Sequence, residues 1–167
     1  NAMFDRVLND FGGLDVCYSN AGVVTNVSFL ELTEDQWDFV LGVNLKGGFH
    51  VGQEAARRMV ASQTKGKIIF TGSFVQDVPH AFNSNYCASK GGLLMLAKTM
   101  ALEHAPYGIT VNLVAPGIVD GVVVLVHQLL EIQVHRPDRR QLHQIGAAQI
   151  QVGNAVAPGN ICHRQAR

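Results

Sequence analysis

Three short apolar runs constrain what this chain can fold into. Leu14 to Ser19, Lys67 to Thr71 and Ile109 to Ala115 are almost continuously apolar, and each is too short for a buried helix. Each ends in a turn of small or polar residues: S-N-A-G, T-G-S and A-P-G. Stretches with helical spacing lie before and between them. In Ala2 to Phe11, residues Met3, Val7, Leu8 and Phe11 share one face, and Gly12-Gly13 stops the pattern. Thr33 with Gln36 three residues later reads as a capping box, which opens a helix towards Met59. That helix contains Gly42, Gly47 and Gly48, each costing up to ~1 kcal/mol against alanine, so its backbone is expected to pack closely on something. Asn85 to His104 is apolar on most sides and reads as a buried helix, broken at Pro106-Tyr107-Gly108. Helices alternating with uniformly apolar strands predict an α/β fold with a parallel sheet and right-handed helical crossovers. The turns after the strands then line one edge, where ligands of open α/β sheets bind.

The bulk composition narrows the function classes. The 167 residues predict one domain, and 47% apolar residues supply a single core. Thirteen basic and thirteen acidic side chains cancel, which argues against electrostatic binding of nucleic acid by the whole chain. No apolar run approaches the ~20 residues of a membrane helix, and no signal-peptide order is present at the N-terminus. Cys17, Cys87 and Cys162 are odd in number and form no C-x-x-C, so reduced thiols in the cytoplasm are expected. The seven histidines include no H-x-x-x-H or H-E-x-x-H pair, and no protein-built metal site is expected. After Gly121 the composition shifts: residues 121–167 lack Phe, Tyr, Trp and Lys, and hold four of the histidines and five arginines. Residues 1–120 therefore read as one coherent unit and 121–167 as an atypical tail, with Val122 to Val126 able to form a strand or short helix.

Four features carry chemistry, each beside a plainer alternative. Tyr86 and Lys90 are one helical turn apart. They are either a surface pair or a phenol whose pKa, near ~10 when free, is drawn towards neutrality by an ammonium. Ser73 lies thirteen residues before Tyr86 in a glycine-flanked turn. It either bonds its own backbone or binds a substrate carbonyl beside the tyrosine. Asn44 sits inside a helix, where asparagine is a weak former and can cap or bend the helix locally. Asn20-Ala21-Gly22 is a plain turn, or one that lets a ligand approach bare backbone.

In order and at matching spacing, S-N-A-G, V-N-L-K-G, T-G-S, Y-C-A-S-K and I-T-V-N-L-V-A-P-G-I-V resemble the short-chain dehydrogenase/reductase family over roughly residues 1–120. The resemblance implies a partial Rossmann-like, doubly wound parallel sheet and NAD(P)-dependent hydride transfer on an alcohol/carbonyl pair. It implies that Tyr86 is the general acid or base, that Lys90 holds the nicotinamide ribose and lowers the tyrosine pKa, and that Ser73 polarises the substrate oxygen. Asn44 would anchor a water linking Lys90 to solvent. Asn20, Ala21 and Gly22 would line the adenosine and ribose side of the cofactor, and Pro116, Gly117, Ile118 and Val119 would touch the carboxamide. The substrate would be a small alcohol, ketone or sugar facing the loop Phe74 to Ser84. Self-association is implied through the two long helices, Trp37–Met59 and Asn85–His104.

Two departures shape these expectations. The family's glycine-rich T-G-x-x-x-G-x-G turn, which holds the pyrophosphate, does not occur here, and neither does the position that selects NAD or NADP. The chain is expected to begin in the helix before the family's fourth strand. Its tail resembles neither the family's substrate-covering segment nor its last strand. The alternative to an active oxidoreductase is thus a truncated, catalytically impaired chain that acts only through subunit association. A third reading, a binding module whose Arg/His/Gln tail meets an acidic partner, rests on composition alone.

Overall fold

The computed structural model describes residues 2–119 and 122–124. Helix α1 (Ala2–Phe11) leads into strand β1 (Val16–Ser19). Helix α2 (Glu34–Leu41) continues through a single π-helical turn, Gly42–Lys46, into α3 (Gly47–Ala61). Strand β2 (Lys67–Thr71) follows, then a short 3₁₀ turn at Phe74–Gln76 and α4 (Ser84–His104). Strand β3 (Thr110–Val114) leads to a hairpin of β4 (Gly117–Val119) and β5 (Val122–Val124). Of the tail, only this last strand falls within the described residues; the reading of 125–167 lies outside them.

The three main strands form a parallel sheet in the order β1-β2-β3, with Cys17 opposite Ile68 and Ile68 opposite Val111. This is the expected α/β architecture, a partial Rossmann-like sheet flanked by helices. Cys17, Ile68, Phe70, Val111 and Leu113 alternate onto one buried face, where α3 and α4 pack. On β1, which lies at the edge of this sheet, the intervening Val16 and Tyr18 are exposed. Phe4 carries α1 into the same core, and Arg58 ties α1 to α3 by pairing with Asp5 at 2.6 Å and Glu54 at 2.8 Å.

Local sequence explains the element ends. Thr33 Oγ1 accepts from Gln36 N at 3.2 Å, and Gln36 Oε1 accepts from Thr33 N at 3.1 Å, so the capping box forms as read. The long helix predicted towards Met59 is continuous, but it changes hydrogen-bond register once. Gly47 N donates to Gly42 O, one residue further back than in an α-helix. The close packing expected of its glycines holds at Gly48, where an added Cβ would lie 2.8 Å from Leu93 Cδ1. It does not hold at Gly42, which faces open space.

Candidate active site at the carboxyl edge of the sheet

The carboxyl ends of β1, β2 and β3 deliver Asn20–Gly22, Gly72-Ser73 and Pro116-Gly117 to one edge of the parallel sheet. The first turn of α4 brings Tyr86, and its second Lys90, to the same edge. Ser73, Tyr86, Pro116 and Gly117 line one cavity of about 240 Å³, together with Val24, Phe74, Val75, His80 and Asn83. Ser73 is buried; its Oγ accepts from Val75 N at 3.4 Å and caps the 3₁₀ turn. The local bond expected of a turn serine is therefore present, and the hydroxyl borders the cavity as well.

Lys90 is buried, and its Nζ donates to the Thr71 carbonyl at 2.6 Å. Burial lowers its pKa from 10.5 to about 8. At neutral pH the amine is still mainly ammonium, and it sits 5.6 Å from the centre of the Tyr86 ring. The pair is thus no surface pair: the lysine lies inside the protein and the tyrosine is half-buried.

Asn44 occupies the π-helical turn and is buried. Its Oδ1 accepts from Val23 N at 2.8 Å, and its Nδ2 donates to Val23 O at 2.9 Å and to Ser89 Oγ at 3.0 Å. One side chain thereby clamps the turn after β1 to α4. Gly22 runs between the two polar heads: a Cβ there would meet Asn44 Oδ1 at 3.4 Å and Lys90 Nζ at 3.5 Å. Asn20 Oδ1 lies 2.8 Å from Thr71 Oγ1, while Ala21 is exposed. Ile118 and Val119 lie in β4, where they pair with Val123 and Val122.

Several residues that sequence reasoning did not single out complete the arrangement. Ser89 is fully buried; it donates to Tyr86 O at 2.8 Å while receiving Asn44. Asn85, also buried, accepts from Tyr86 N at 2.8 Å and donates to Thr25 Oγ1 at 2.8 Å and Gln36 O at 3.1 Å. Together they fix the backbone on both sides of the tyrosine. Thr71 acts through its carbonyl, which every residue type offers and no sequence pattern marks.

This geometry suits the nicotinamide-ribose end of a dinucleotide. An ammonium and a bare glycine backbone lie together beside a small cavity that holds a phenol and a hydroxyl. Among the described residues no three His, Cys, Asp or Glu side chains cluster as a metal site, and no helix is long and apolar enough to cross a membrane.

Comparison with known proteins bears on the same residues. Residues 1–128 match the family model of short chain dehydrogenases. The chain is similar to a 3-oxoacyl-[acyl-carrier-protein] reductase of Staphylococcus aureus, 42% identical over 118 residues, which are 71% of this chain and 48% of that protein. It is also similar to the reductase of the same name from Buchnera aphidicola, 37% identical over 115 residues, 69% of this chain and 46% of that one. The chain spans about half the length of the curated relatives it matches. The matched span contains every described residue, the clamped turn and the buried lysine included, and this chain belongs to the short-chain dehydrogenase/reductase family.

Proposed function

We propose that this chain is an NAD(P)-dependent oxidoreductase acting on an alcohol/carbonyl pair, with Tyr86 as the acid or base. The observation that carries the reading is the buried Lys90 ammonium beside the Tyr86 ring, at the cavity that Ser73 also lines. A nicotinamide, when bound, supplies or accepts the hydride. Residues 1–120 form the catalytic part. Lys90, Gly22, Asn20 and Ala21 hold the ribose side of the cofactor. Pro116, Gly117, Ile118 and Val119 face its carboxamide.

Tyr86 gives its phenolic proton to the substrate oxygen in reduction and takes it back in oxidation. Lys90 sets its positive charge beside the Tyr86 ring, 5.6 Å from its centre. Ser73 donates to the same substrate oxygen and orients the carbonyl. Asn44 keeps the Gly22 backbone against Lys90, and its Oδ1 retains one lone pair for a water on the path to solvent. The substrate is a small ketone, alcohol or sugar, as a 240 Å³ cavity admits only a short group. The S. aureus relative's name points to a 3-oxoacyl group. A cytoplasmic location fits the free thiols Cys17 and Cys87.

The same reading has the chain associate with its own copies through the long helices. Phe49, Val60, Leu96 and Met100 line an apolar groove of about 580 Å³ between α3 and α4. One experiment tests both parts. In sedimentation velocity with NADH or NADPH, the reduced-nicotinamide absorbance is expected to travel with the protein boundary, at a multiple of 18.1 kDa. A multimeric boundary without nicotinamide would favour the alternative, an impaired chain acting only through association. A monomeric boundary without nicotinamide would end both readings.

A further inference from the structure

Two hydroxyls and an amide meet on the face of the sheet that α3 and α4 leave uncovered. Strand alternation turns Cys17 into the core and leaves Tyr18 on the opposite face, 54% exposed. The parallel register sets Ser19 beside Phe70, so Asn20 follows beside Thr71 at the carboxyl edge. Tyr18 Oη lies 2.9 Å from Thr71 Oγ1, and the same Oγ1 lies 2.8 Å from Asn20 Oδ1. The Thr71 carbonyl meanwhile holds Lys90. Thr71 therefore meets two residues of the candidate site, one through each of its oxygens.

Counting protons sets the direction of this chain of bonds. Thr71 Oγ1 carries one proton and an amide oxygen only accepts, so that proton belongs to the bond with Asn20. The Tyr18 phenol then donates its own proton to Thr71 Oγ1. A phenol is a more acidic hydroxyl than an aliphatic alcohol, and it is the better donor of the pair. With its oxygen engaged, Asn20 has only its NH₂ group to offer a ligand. Without the phenol, Thr71 Oγ1 is free to accept from that NH₂ instead, and the amide is held in neither sense.

We infer that Tyr18 is a positioning residue for the cofactor site: through Thr71 it holds the Asn20 amide so that its NH₂ donates to a ribose oxygen of the dinucleotide. This rests on the oxidoreductase reading, which sets Asn20 on the ribose side. Both bonds are open to water. Water can replace their strength, but not the sense in which they hold the amide.

The test reads binding and needs no turnover. Dissociation constants for NADH and NADPH are measured by nicotinamide fluorescence on the parent chain, Tyr18→Phe, Asn20→Ala and the double variant. Tyr18→Phe removes one exposed hydroxyl and keeps the ring. Each single variant should bind the nucleotide about two- to tenfold more weakly, the worth of one hydrogen bond. The double variant should bind no more weakly than Asn20→Ala, because the phenol then has no amide to hold. Thr71→Val should repeat the loss, and Thr71→Ser, which keeps the hydroxyl, should retain the parental affinity. A phenol that merely steadies the sheet would still matter in the Asn20→Ala background. Multiplying losses in the double variant therefore overturn the inference, as does parental affinity in either single variant, and both outcomes leave the oxidoreductase reading standing. A parent chain that binds neither nucleotide ends that reading and this inference with it.

Discussion

Turnover by the Tyr86→Phe chain is expected to fall by about 10²–10⁴-fold, the usual worth of a positioned acid or base. The substitution removes one oxygen and little else. Asn85 Oδ1 still receives the backbone N–H of residue 86, and Ser89 Oγ still donates to its carbonyl. The ring keeps its place 5.6 Å from Lys90 Nζ, because a phenyl face attracts an ammonium as a phenol face does. Lys90 keeps its bond to Thr71 O, so the side chain that would hold the ribose is unmoved. Nicotinamide affinity and thermal midpoint should therefore match the parent while kcat collapses. Steady-state oxidation of NADH or NADPH, run beside a melting curve of each protein, separates the two effects. A Phe variant that keeps kcat within threefold of the parent would show that the proton comes from elsewhere. A variant that loses activity and stability together would show that the hydroxyl is structural.

The parts of this site that were legible in the sequence are those whose chemistry is local. The Tyr86–Lys90 spacing marks one helix face, and Thr33 with Gln36 marks a helix start, because both depend on residues a turn apart. The α/β order was legible for a related reason: three uniformly apolar runs admit few arrangements other than a parallel sheet. What stayed hidden depends on distant partners or on backbone. Thr71 anchors Lys90 through a carbonyl, and Ser89 receives Asn44 from forty-five residues away. The π-helical turn left one trace, a polar asparagine inside a helix, since an inserted residue does not disturb the apolar pattern enough to be seen. Asn83 stands at the N-cap of α4 but makes no capping bond. Its side chain lies against His80 instead, at 3.0 Å.

Gly52 lies against the core, and it sets the second large effect. Phe70 is fully buried on β2, and Phe70→Ala is expected to cost about 3–5 kcal/mol. A Cβ added at Gly52 would lie 2.7 Å from Phe70 Cζ and 3.0 Å from Met100 Cε. Gly52→Ala alone should therefore destabilise by about 1–3 kcal/mol through overpacking. That outweighs the ~1 kcal/mol that alanine gains over glycine within a helix. In the Phe70→Ala background the obstructing ring is gone, and Met100, being flexible, can yield. There Gly52→Ala should be neutral or stabilising, a coupling of about 1–3 kcal/mol between the two sites. Gly42→Ala is the control: no atom lies within 4 Å of its added Cβ, so the helix-propensity gain should appear undiminished. Urea unfolding of the four members of the cycle measures the coupling from midpoints at a shared slope. Additive costs at residues 52 and 70 would mean that α3 does not rest its backbone on the Phe70 ring. Non-additivity of the expected sign would mean that the glycine keeps α3 close enough to the sheet for Asn44, in the turn that precedes it, to reach Val23 and Ser89.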